Sequence, residues 1–278
     1  MKNGTVSILG CGWLGEPLGK YLSGKRFVVK GSVTSSEKFN QLRLSGILPY
    51  RVVLSEWSVE VDDRSFFDTD VLIIAIPPRR IERIEHIFPA QIAQLIPIIL
   101  KNEIRKVIFI SSTSVYPENR QKAKESDQLF PEKASGKALV LAERVLQNQQ
   151  GFETTIVRFS GLIGADRNPS RFLLKSFQPV ANVPVNLIHL DDCIGIITAI
   201  IEHDLWGETL NACCPEHPMK MDFYGKAAGI SGLPMPNIAE VDEPYKIVDS
   251  SKLKRLLKYK FKYESPLDYL ESLSSAQH

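Results

Sequence analysis

The chain has 278 residues, of which 44% are hydrophobic and 24% charged, a length that suits one large α/β domain or a core domain with a smaller cap. Its net charge of +2 gives no strong surface field, so we expect no nucleic-acid or membrane partner and favour a small-molecule ligand. The four cysteines lack C-x-x-C spacing and no apolar stretch approaches the roughly 18 residues of a membrane span, so we expect a cytoplasmic protein with no metal site.

The first elements in chain order are a strand, a glycine-rich turn and a helix. An apolar run over residues 5–9 predicts the strand, and apolar residues at helical intervals from Leu14 to Leu22 predict the helix. The same patterns then predict a strand over residues 27–33, a helix over 38–44 and a strand over 51–54.

Strands and helices continue to alternate up to about Arg167. Continuous apolar runs predict buried strands over residues 71–76, 106–110 and 154–158, and helical periodicity predicts helices over 90–100 and 134–146. Beyond them we predict strands over 185–190 and 209–212, and helices over 194–201, 218–230, 251–257 and 266–273, with Ser250 capping the helix at 251. This order favours an α/β fold, a Rossmann-like doubly wound parallel sheet.

The glycine turn predicts a dinucleotide site. Gly10, Gly12 and Gly15 have the spacing G-x-G-x-x-G between a strand and a helix, which is the context this motif requires. In that context the first glycine allows the tight turn, the second the approach of a pyrophosphate, and the third close packing of helix on strand. The alternative is a purely structural turn. Other residues expected to border the cofactor are Trp13 and Leu14 in the turn, and Ile76 and Pro77 after a central strand.

The end of the second strand favours NADP over NAD. An NAD site usually has an acidic residue there to hold the ribose, but the sequence has hydroxyls followed by a lysine. We expect Thr34, Ser35, Ser36 and Lys38 to suit a 2′-phosphate. Two alternatives stay open: Glu37 serves a ribose, or Ser36 only caps the following helix.

The segment IFISSTSVYP, residues 108–117, resembles the extended short-chain dehydrogenase/reductase superfamily of NAD(P)-dependent nucleotide-sugar epimerases and dehydratases. The resemblance implies that Ser112 is the catalytic hydroxyl, with Ser111 beside it at the cofactor. It also implies that Lys137 binds the nicotinamide ribose. The family's Y-x-x-x-K pair is changed, because Lys133 stands where the tyrosine is expected. Tyr116 is a further candidate catalytic residue as a substitute proton donor, with a packing role as the alternative.

Two functions follow from these expectations. The first is an NAD(P)-dependent oxidoreductase or epimerase/dehydratase-like enzyme acting on a hydroxyl-bearing small molecule such as a nucleotide sugar. The second is a non-catalytic NADP-binding redox sensor or regulatory protein, which the missing tyrosine favours. Residues 1–165 would form the NAD(P)-binding domain and residues 166–278 mainly a substrate-binding cap, with segments around 185–212 returning to the core. The resemblance also implies a homodimer through the helix from Ala134.

Several other residues have two interpretations each. Arg79 and Arg80 follow a central strand, where they would meet an anion or only begin a solvated helix. His189 precedes two aspartates, which we interpret as a turn into a helix capped by Asp191 or Asp192 rather than as a catalytic triad. The resemblance places three residues near the substrate's nucleotide: Arg171, Phe172 and Lys175.

Overall fold

A computed structural model describes residues 4–164, 167, 169, 179–235 and 237–275. The strands are β1 (Thr5–Leu9), β2 (Val28–Val33), β3 (Leu48–Leu54), β4 (Val59–Val61), β5 (Val71–Ile74), β6 (Lys106–Ser112), β7 (Lys122–Ala123), β8 (Glu153–Phe159), β9 (Gly161–Ile163), β10 (Val180–Ala181), β11 (Leu187–His189), β12 (Thr209–Ala212), β13 (Ile238–Ala239) and β14 (Ile247–Val248). The helices are α1 (Gly15–Gly24), α2 (Phe39–Leu44), α3 (Ile84–Ala93), α4 (Ile96–Lys101), α5 (Ala134–Gln147), α6 (Leu190–Glu202), α7 (Lys220–Ile230), α8 (Ser251–Leu257) and α9 (Pro266–Ser275).

The largest sheet has eight strands in the order β12-β8-β6-β5-β1-β2-β3-β4. β1 pairs in parallel with both β2 and β5, β2 with β3, and β5 with β6, whereas the edge strand β4 runs antiparallel to β3. The chain therefore winds outward in one direction from β1 to β3 and in the other from β5. This confirms the predicted α/β fold with a Rossmann-like doubly wound sheet, in which ligands bind at the carboxyl ends of the strands near the reversal.

Continuous apolar runs form the central strands. All four residues of β5 are buried, as are the last four of β1. A parallel strand covered by helices on both faces has no solvated side, so it lacks the polar alternation of a surface strand. This burial holds the carboxyl ends of β1 and β5 at fixed positions next to each other.

The helix predicted over residues 90–100 is instead two helices. α3 begins earlier, at Ile84, and ends at Ala93, and α4 begins at Ile96. Pro97 lies in the first turn of α4, where its missing N–H group costs nothing, but the same residue could not donate inside a continuous helix.

The cap predicted for α8 is wrong. The hydroxyl of Ser250 does not cap the helix, because it accepts a hydrogen bond from the Cys213 N–H at 2.9 Å and donates to the Cys213 carbonyl at 3.0 Å. The N–H of Ser251 instead donates to Asp249 Oδ1 at 2.8 Å. Ser250 therefore holds the predicted N-cap position, whereas the side-chain hydrogen bond to the first turn comes from Asp249.

The chain forms two compact units. The first comprises residues 1–116, 129–158 and 196–210, and the second comprises residues 117–128, 159–195 and 211–278. The second unit has its own apolar core, formed by Ile163, Val185, Leu187, Phe223, Tyr224, Ala227, Tyr269 and Leu270. No helix in the described ranges combines the length and apolar character needed to cross a bilayer.

Candidate functional site

The glycine turn between β1 and α1 has a distinct role for each glycine. Gly10 has a φ of +105°, which side-chain-bearing residues rarely adopt, and a Cβ there would lie 2.7 Å from Ile76 Cγ2. A Cβ at Gly15 would lie 2.2 Å from the Gly10 carbonyl oxygen, so the start of α1 can approach the turn only with glycine at this position. Gly12 differs, since a Cβ there would meet no atom within 4 Å. The fold therefore does not need glycine at position 12. A ligand that approaches the backbone here would need it, because a side chain would occupy the same space.

Ser32, in β2, fixes the turn to the sheet. Its hydroxyl accepts a hydrogen bond from the Gly10 N–H at 2.9 Å, and its carbonyl accepts one from the Cys11 N–H at 2.8 Å. These two N–H groups are thus engaged within the protein, which fixes the shape of the turn before any ligand arrives. Ser32 was not among the predicted site residues, although a hydroxyl inside a buried strand is a signal that a partner is present.

A cavity of about 240 Å³ lies in the first unit beside this turn, at the carboxyl ends of β1, β2, β3 and β5. Its lining residues are Leu9, Gly10, Ser32, Val33, Thr34, Val52, Val53, Leu54, Ile76, Pro77, Arg79, Phe88 and Gln91. The walls are mostly apolar, with a few polar groups, which is the usual character of a small-molecule site. The volume is just below the range of about 300–1,000 Å³ for whole drug-sized ligands, so the cavity suits one half of a dinucleotide.

Predicted cofactor residues lie in two positions relative to this cavity. Gly10, Ile76, Pro77 and Thr34 line it. Ser35, Ser36 and Lys38 follow Thr34 on the exposed side, in a short 3-10 turn, and they make no side-chain hydrogen bond with any described residue. Ser36 does not cap the helix that follows, because Lys38 is the N-cap residue of α2 and makes no capping bond.

Trp13 and Leu14 complete the turn before α1. Leu14 is buried and Trp13 half-buried, and the first N–H bonds of the helix run from Glu16 to the Gly12 carbonyl and from Leu18 to the Leu14 carbonyl. The amino end of α1 thus lies directly behind Gly12. Helix amino termini carry partial positive charge, which favours an anion at this place.

Ser112 and Lys137 lie on two elements in direct contact. Ser112 ends β6 half-buried, and its hydroxyl accepts a hydrogen bond from the Ser114 N–H at 3.2 Å. Lys137 is exposed in the first turn of α5. A Cβ at Gly136 would lie 2.5 Å from the Ser114 carbonyl oxygen, so this helix packs very closely on the turn after Ser112.

Lys133 precedes α5 as its N-cap residue. Its carbonyl accepts the Lys137 N–H at 3.0 Å, and both lysine side chains are exposed. Neither has an ion-pair partner within the described ranges of the chain. Two like charges one helical turn apart repel each other, and a bound anion would relieve this repulsion.

A buried network links four residues behind Ser112. Arg158, in β8, donates from Nε and Nη2 to the two carboxylate oxygens of Glu143 at 3.1 and 2.6 Å, and from Nη1 to the Tyr116 hydroxyl at 2.6 Å. The Ser111 hydroxyl donates to Glu143 Oε1 at 2.5 Å. All four residues are at most 5% exposed. The network therefore joins β6, α5 and β8 within the first unit.

The pKa of Arg158 reflects this environment. Burial by itself lowers the pKa of the guanidinium, but the Glu143 carboxylate and the Tyr116 hydroxyl more than offset burial and raise the pKa above its usual value. Breaking a buried pair by removing one partner typically costs about 3–5 kcal/mol, because the other charge is left uncompensated. Arg158 and Glu143 are thus structural partners of Tyr116.

Tyr116 and Ser111 lie within this network rather than at the cavity. Tyr116 is 2% exposed and its ring also lies under the Arg158 guanidinium, 5.2 Å from centroid to Cζ. This placement favours the packing role, so proton donation by Tyr116 stays a prediction with little support from the geometry. The hydroxyl of Ser111 is engaged by Glu143, and its contact with a cofactor also stays a prediction.

His189 lies in the second unit and does not form a triad. Its Nδ1 accepts the Asp191 N–H at 3.1 Å, so this ring caps the helix that the aspartates were expected to cap. The carboxylate of Asp192 instead accepts from the Lys262 and Tyr263 N–H groups. Burial lowers the pKa of His189, although the charge of Asp191 opposes this effect.

The residues expected to contact a substrate nucleotide, namely Arg171, Phe172 and Lys175, lie outside the described residues. Within the described part of the chain, no group of three histidine, cysteine, aspartate or glutamate side chains is arranged to hold a metal ion.

No protein-family model matches the chain. A protein of Escherichia coli strain K12 named YeeZ is 34% identical over 266 residues, which cover 94% of this chain and 97% of YeeZ. The chain belongs to the YeeZ family.

Solved structures with the same fold extend the comparison of this YeeZ-family chain. A short-chain dehydrogenase/reductase superfamily protein from Agrobacterium tumefaciens with bound NAD has a TM-score of 0.78 at 19% identity, covering 98% of this chain and 97% of that protein. UDP-glucuronic acid 4-epimerase from Bacillus cereus, in complex with UDP-glucuronic acid and NAD, also has a TM-score of 0.78, at 20% identity, covering 99% of this chain and 100% of that protein. At these identities the likeness establishes the fold of the superfamily.

Proposed function

We propose that this YeeZ-family chain binds a nicotinamide dinucleotide, NADP in preference to NAD, and uses it in oxidoreductase or epimerase/dehydratase-like chemistry on a hydroxyl-bearing small molecule. The observation that carries the proposal is the open space at Gly12, next to the amino end of α1 and the cavity at Gly10. The fold tolerates a larger residue at position 12, so a ligand that must approach the backbone explains the glycine.

The residues present fit such a cofactor. The glycine turn would hold the diphosphate, because backbone N–H groups and the helix terminus favour negative charge there. The apolar cavity would hold the adenosine half, with Ile76 and Pro77 on one side. When bound, the nicotinamide supplies a centre that accepts or donates hydride.

The catalytic roles rest on the carboxyl end of β6 and the start of α5. Ser112 would hold the reacting oxygen of the substrate, and Lys137 would bind the nicotinamide ribose. The proton exchanged with the substrate would come from water or from Lys133, since Tyr116 is buried and accepts a hydrogen bond from Arg158. The solved structures with bound UDP-glucuronic acid or UDP-glucose support a nucleotide sugar as the substrate class. The substrate-binding cap of residues 166–278 and the homodimer are parts of the same proposal.

A matched pair of glycine substitutions tests the binding site. Gly12→Ala should leave the free energy of unfolding within about 0.5 kcal/mol of wild type, because its Cβ has no neighbour within 4 Å. It should nevertheless weaken NADPH binding at least tenfold in calorimetric titration. Gly24→Ala is the control, since its Cβ also meets nothing within 4 Å but lies at the far end of α1. Equal NADPH affinity in wild type and Gly12→Ala would contradict the proposal.

A second comparison tests catalysis. The purified chain is incubated with NADP(H) and UDP-sugars, and turnover is followed by absorbance and by mass spectrometry of the sugars. Ser112→Ala and Lys137→Met should each lower the rate at least tenfold, while Lys133→Met separates the two proton sources, because its rate stays at the wild-type value only if water supplies the proton. Turnover unchanged in both variants would exclude the proposed catalytic roles.

The second candidate function, a non-catalytic NADP-binding sensor, has one specific observation in its favour. The catalytic tyrosine position holds the exposed Lys133, and the nearby Tyr116 is buried. A sensor predicts that the affinity for a protein partner differs between NADP and NADPH, with no turnover of any sugar. A partner captured equally with both cofactor forms would contradict it.

A further inference from the structure

The cavity beside the glycine turn has an unusual distribution of charge. Of the described residues that line it, Arg79 alone has a charged side chain, and no carboxylate is among them. Sites selective for NAD usually have an Asp or Glu here, which accepts hydrogen bonds from the ribose hydroxyls. An arginine without a carboxylate gives the cavity positive charge and favours a ligand with an additional anionic group.

Arg79 is positioned and unengaged. It follows Pro77 and Pro78, whose rings fix φ. The backbone therefore has fewer conformations available, and this restriction holds Arg79 at the rim of the cavity. Its guanidinium makes no hydrogen bond or ion pair with any described residue. A planar guanidinium with five free donors is suited to bidentate binding of a phosphate.

A second polar group in the cavity lining suits the same anion. Thr34, at the end of β2, lines the cavity, is exposed and makes no side-chain hydrogen bond with another described residue. The remaining walls, from Val52 to Leu54 and at Phe88, are apolar and suit a base. Gln91 is held among them by a hydrogen bond from its Nε2 to the Leu54 carbonyl at 3.2 Å.

The two other basic residues near this site are less well placed. Lys38 and Arg80 are both exposed, and neither lines the cavity. Lys38 is separated from Thr34 by the 3-10 turn that begins at Ser36. The sequence predicted Lys38 beside the 2′-phosphate and left Arg79 and Arg80 as further anion ligands, because it does not show which of these basic residues lines the cavity.

We propose that Arg79, with Thr34, binds the 2′-phosphate of the adenosine ribose and is the residue that selects NADP over NAD. This inference rests on the proposed dinucleotide site and names the group that sets its specificity. Arg79 would act on binding of the cofactor, whereas Ser112 and Lys137 are proposed to act at the reacting end.

The test compares ligands that differ only in the 2′-phosphate. Calorimetry on the full chain measures the affinities of NADPH and NADH, and of adenosine 2′,5′-bisphosphate and 5′-AMP. Arg79→Gln should weaken binding of the two 2′-phosphorylated ligands roughly 10- to 100-fold, the usual effect of losing a charge-assisted hydrogen-bonded pair. It should change the affinities of NADH and 5′-AMP less than threefold.

Arg80→Gln is the matched control and Lys38→Gln tests the competing assignment, because each removes one exposed basic group without removing a residue from the cavity lining. Both should change NADPH affinity less than threefold. Arg79 has no described partner, so its replacement should leave the circular dichroism spectrum and the unfolding midpoint unchanged.

Three results would overturn the inference. If Arg79→Gln weakens the binding of NADPH and NADH equally, or weakens the binding of neither, then Arg79 does not select NADP. The proposed dinucleotide site would still stand. A selective loss in Lys38→Gln instead would assign the role to Lys38. A wild-type chain that binds none of the four ligands would overturn both the inference and the proposed function.

Discussion

Replacing Tyr116 with phenylalanine isolates the contribution of a single buried hydroxyl. That hydroxyl accepts a hydrogen bond from Arg158 Nη1 at 2.6 Å, and the residue is 2% exposed. Phenylalanine keeps the ring, which lies 5.2 Å from the guanidinium carbon, so the cation–π contact is retained. Hydrogen bonds to charged groups contribute about 1.5–3 kcal/mol. We therefore expect the free energy of unfolding to fall by about 2 kcal/mol.

Urea unfolding followed by circular dichroism measures this change. With a slope of about 2 kcal/mol/M, the midpoint should fall by about 1 M. Tyr50→Phe is the control, because the Tyr50 hydroxyl bonds Ser65 Oγ at 3.0 Å at an exposed site, where the loss should stay within about 0.5 kcal/mol. NADPH affinity should not change in Tyr116→Phe. A midpoint equal to wild type, combined with lost turnover, would refute the structural role and favour Tyr116 as a proton donor.

Three further outcomes follow from the described contacts. Gly15→Ala should lower the free energy of unfolding by more than about 2 kcal/mol, because its Cβ would lie 2.2 Å from the Gly10 carbonyl; stability equal to that of Gly12→Ala would contradict this. Burial lowers the pKa of His189 in the folded state, so as the pH falls this histidine is protonated in the unfolded state before it is protonated in the folded state. The free energy of unfolding should therefore decrease as the pH falls below about 6.5, with a slope of up to about 1.4 kcal/mol per pH unit. The slope should be shallower in His189→Phe, and an equal slope would be the opposing result. Burial also raises the pKa of the Cys11 and Cys213 thiols to about 12. All four cysteines are buried, namely Cys11, Cys193, Cys213 and Cys214. A thiol reagent should therefore label none of them in the native protein and all four in denaturant.

The predictable parts of the fold are those with a local cause. β5 was predicted because four consecutive apolar residues are buried on both faces, and α8 was predicted with both of its ends. The two-residue strands β7, β10, β13 and β14 were missed, since two residues are too few to show a period. The edge strand β4 was missed for a similar reason, because it has three residues and pairs only with β3.

The residues of the candidate site were likewise predictable only where their cause is local in the sequence. The glycine turn was predicted because the role of each glycine depends on the adjacent strand and helix. The far wall of the cavity, from Val52 to Leu54 and at Gln91, was missed because only the tertiary fold brings these residues to the turn. A sequence signal for the buried network did exist: Arg158 directly follows the apolar pair Ile156-Val157 in a predicted buried strand, and Glu143 lies on the apolar face of a helix. Each buried charge requires a partner.

The first unit is made of three segments that are separated in the sequence, and this arrangement affects how the protein folds during synthesis. The last segment of that unit, residues 196–210, follows a long stretch that belongs to the second unit. Until the ribosome has released residues up to β12, the strand β8 lacks its outer neighbour in the sheet. An unpaired strand edge of this kind is a template for association with other chains. Nascent chains that end near residue 165 should therefore be prone to aggregation and should depend on chaperones until the edge is covered.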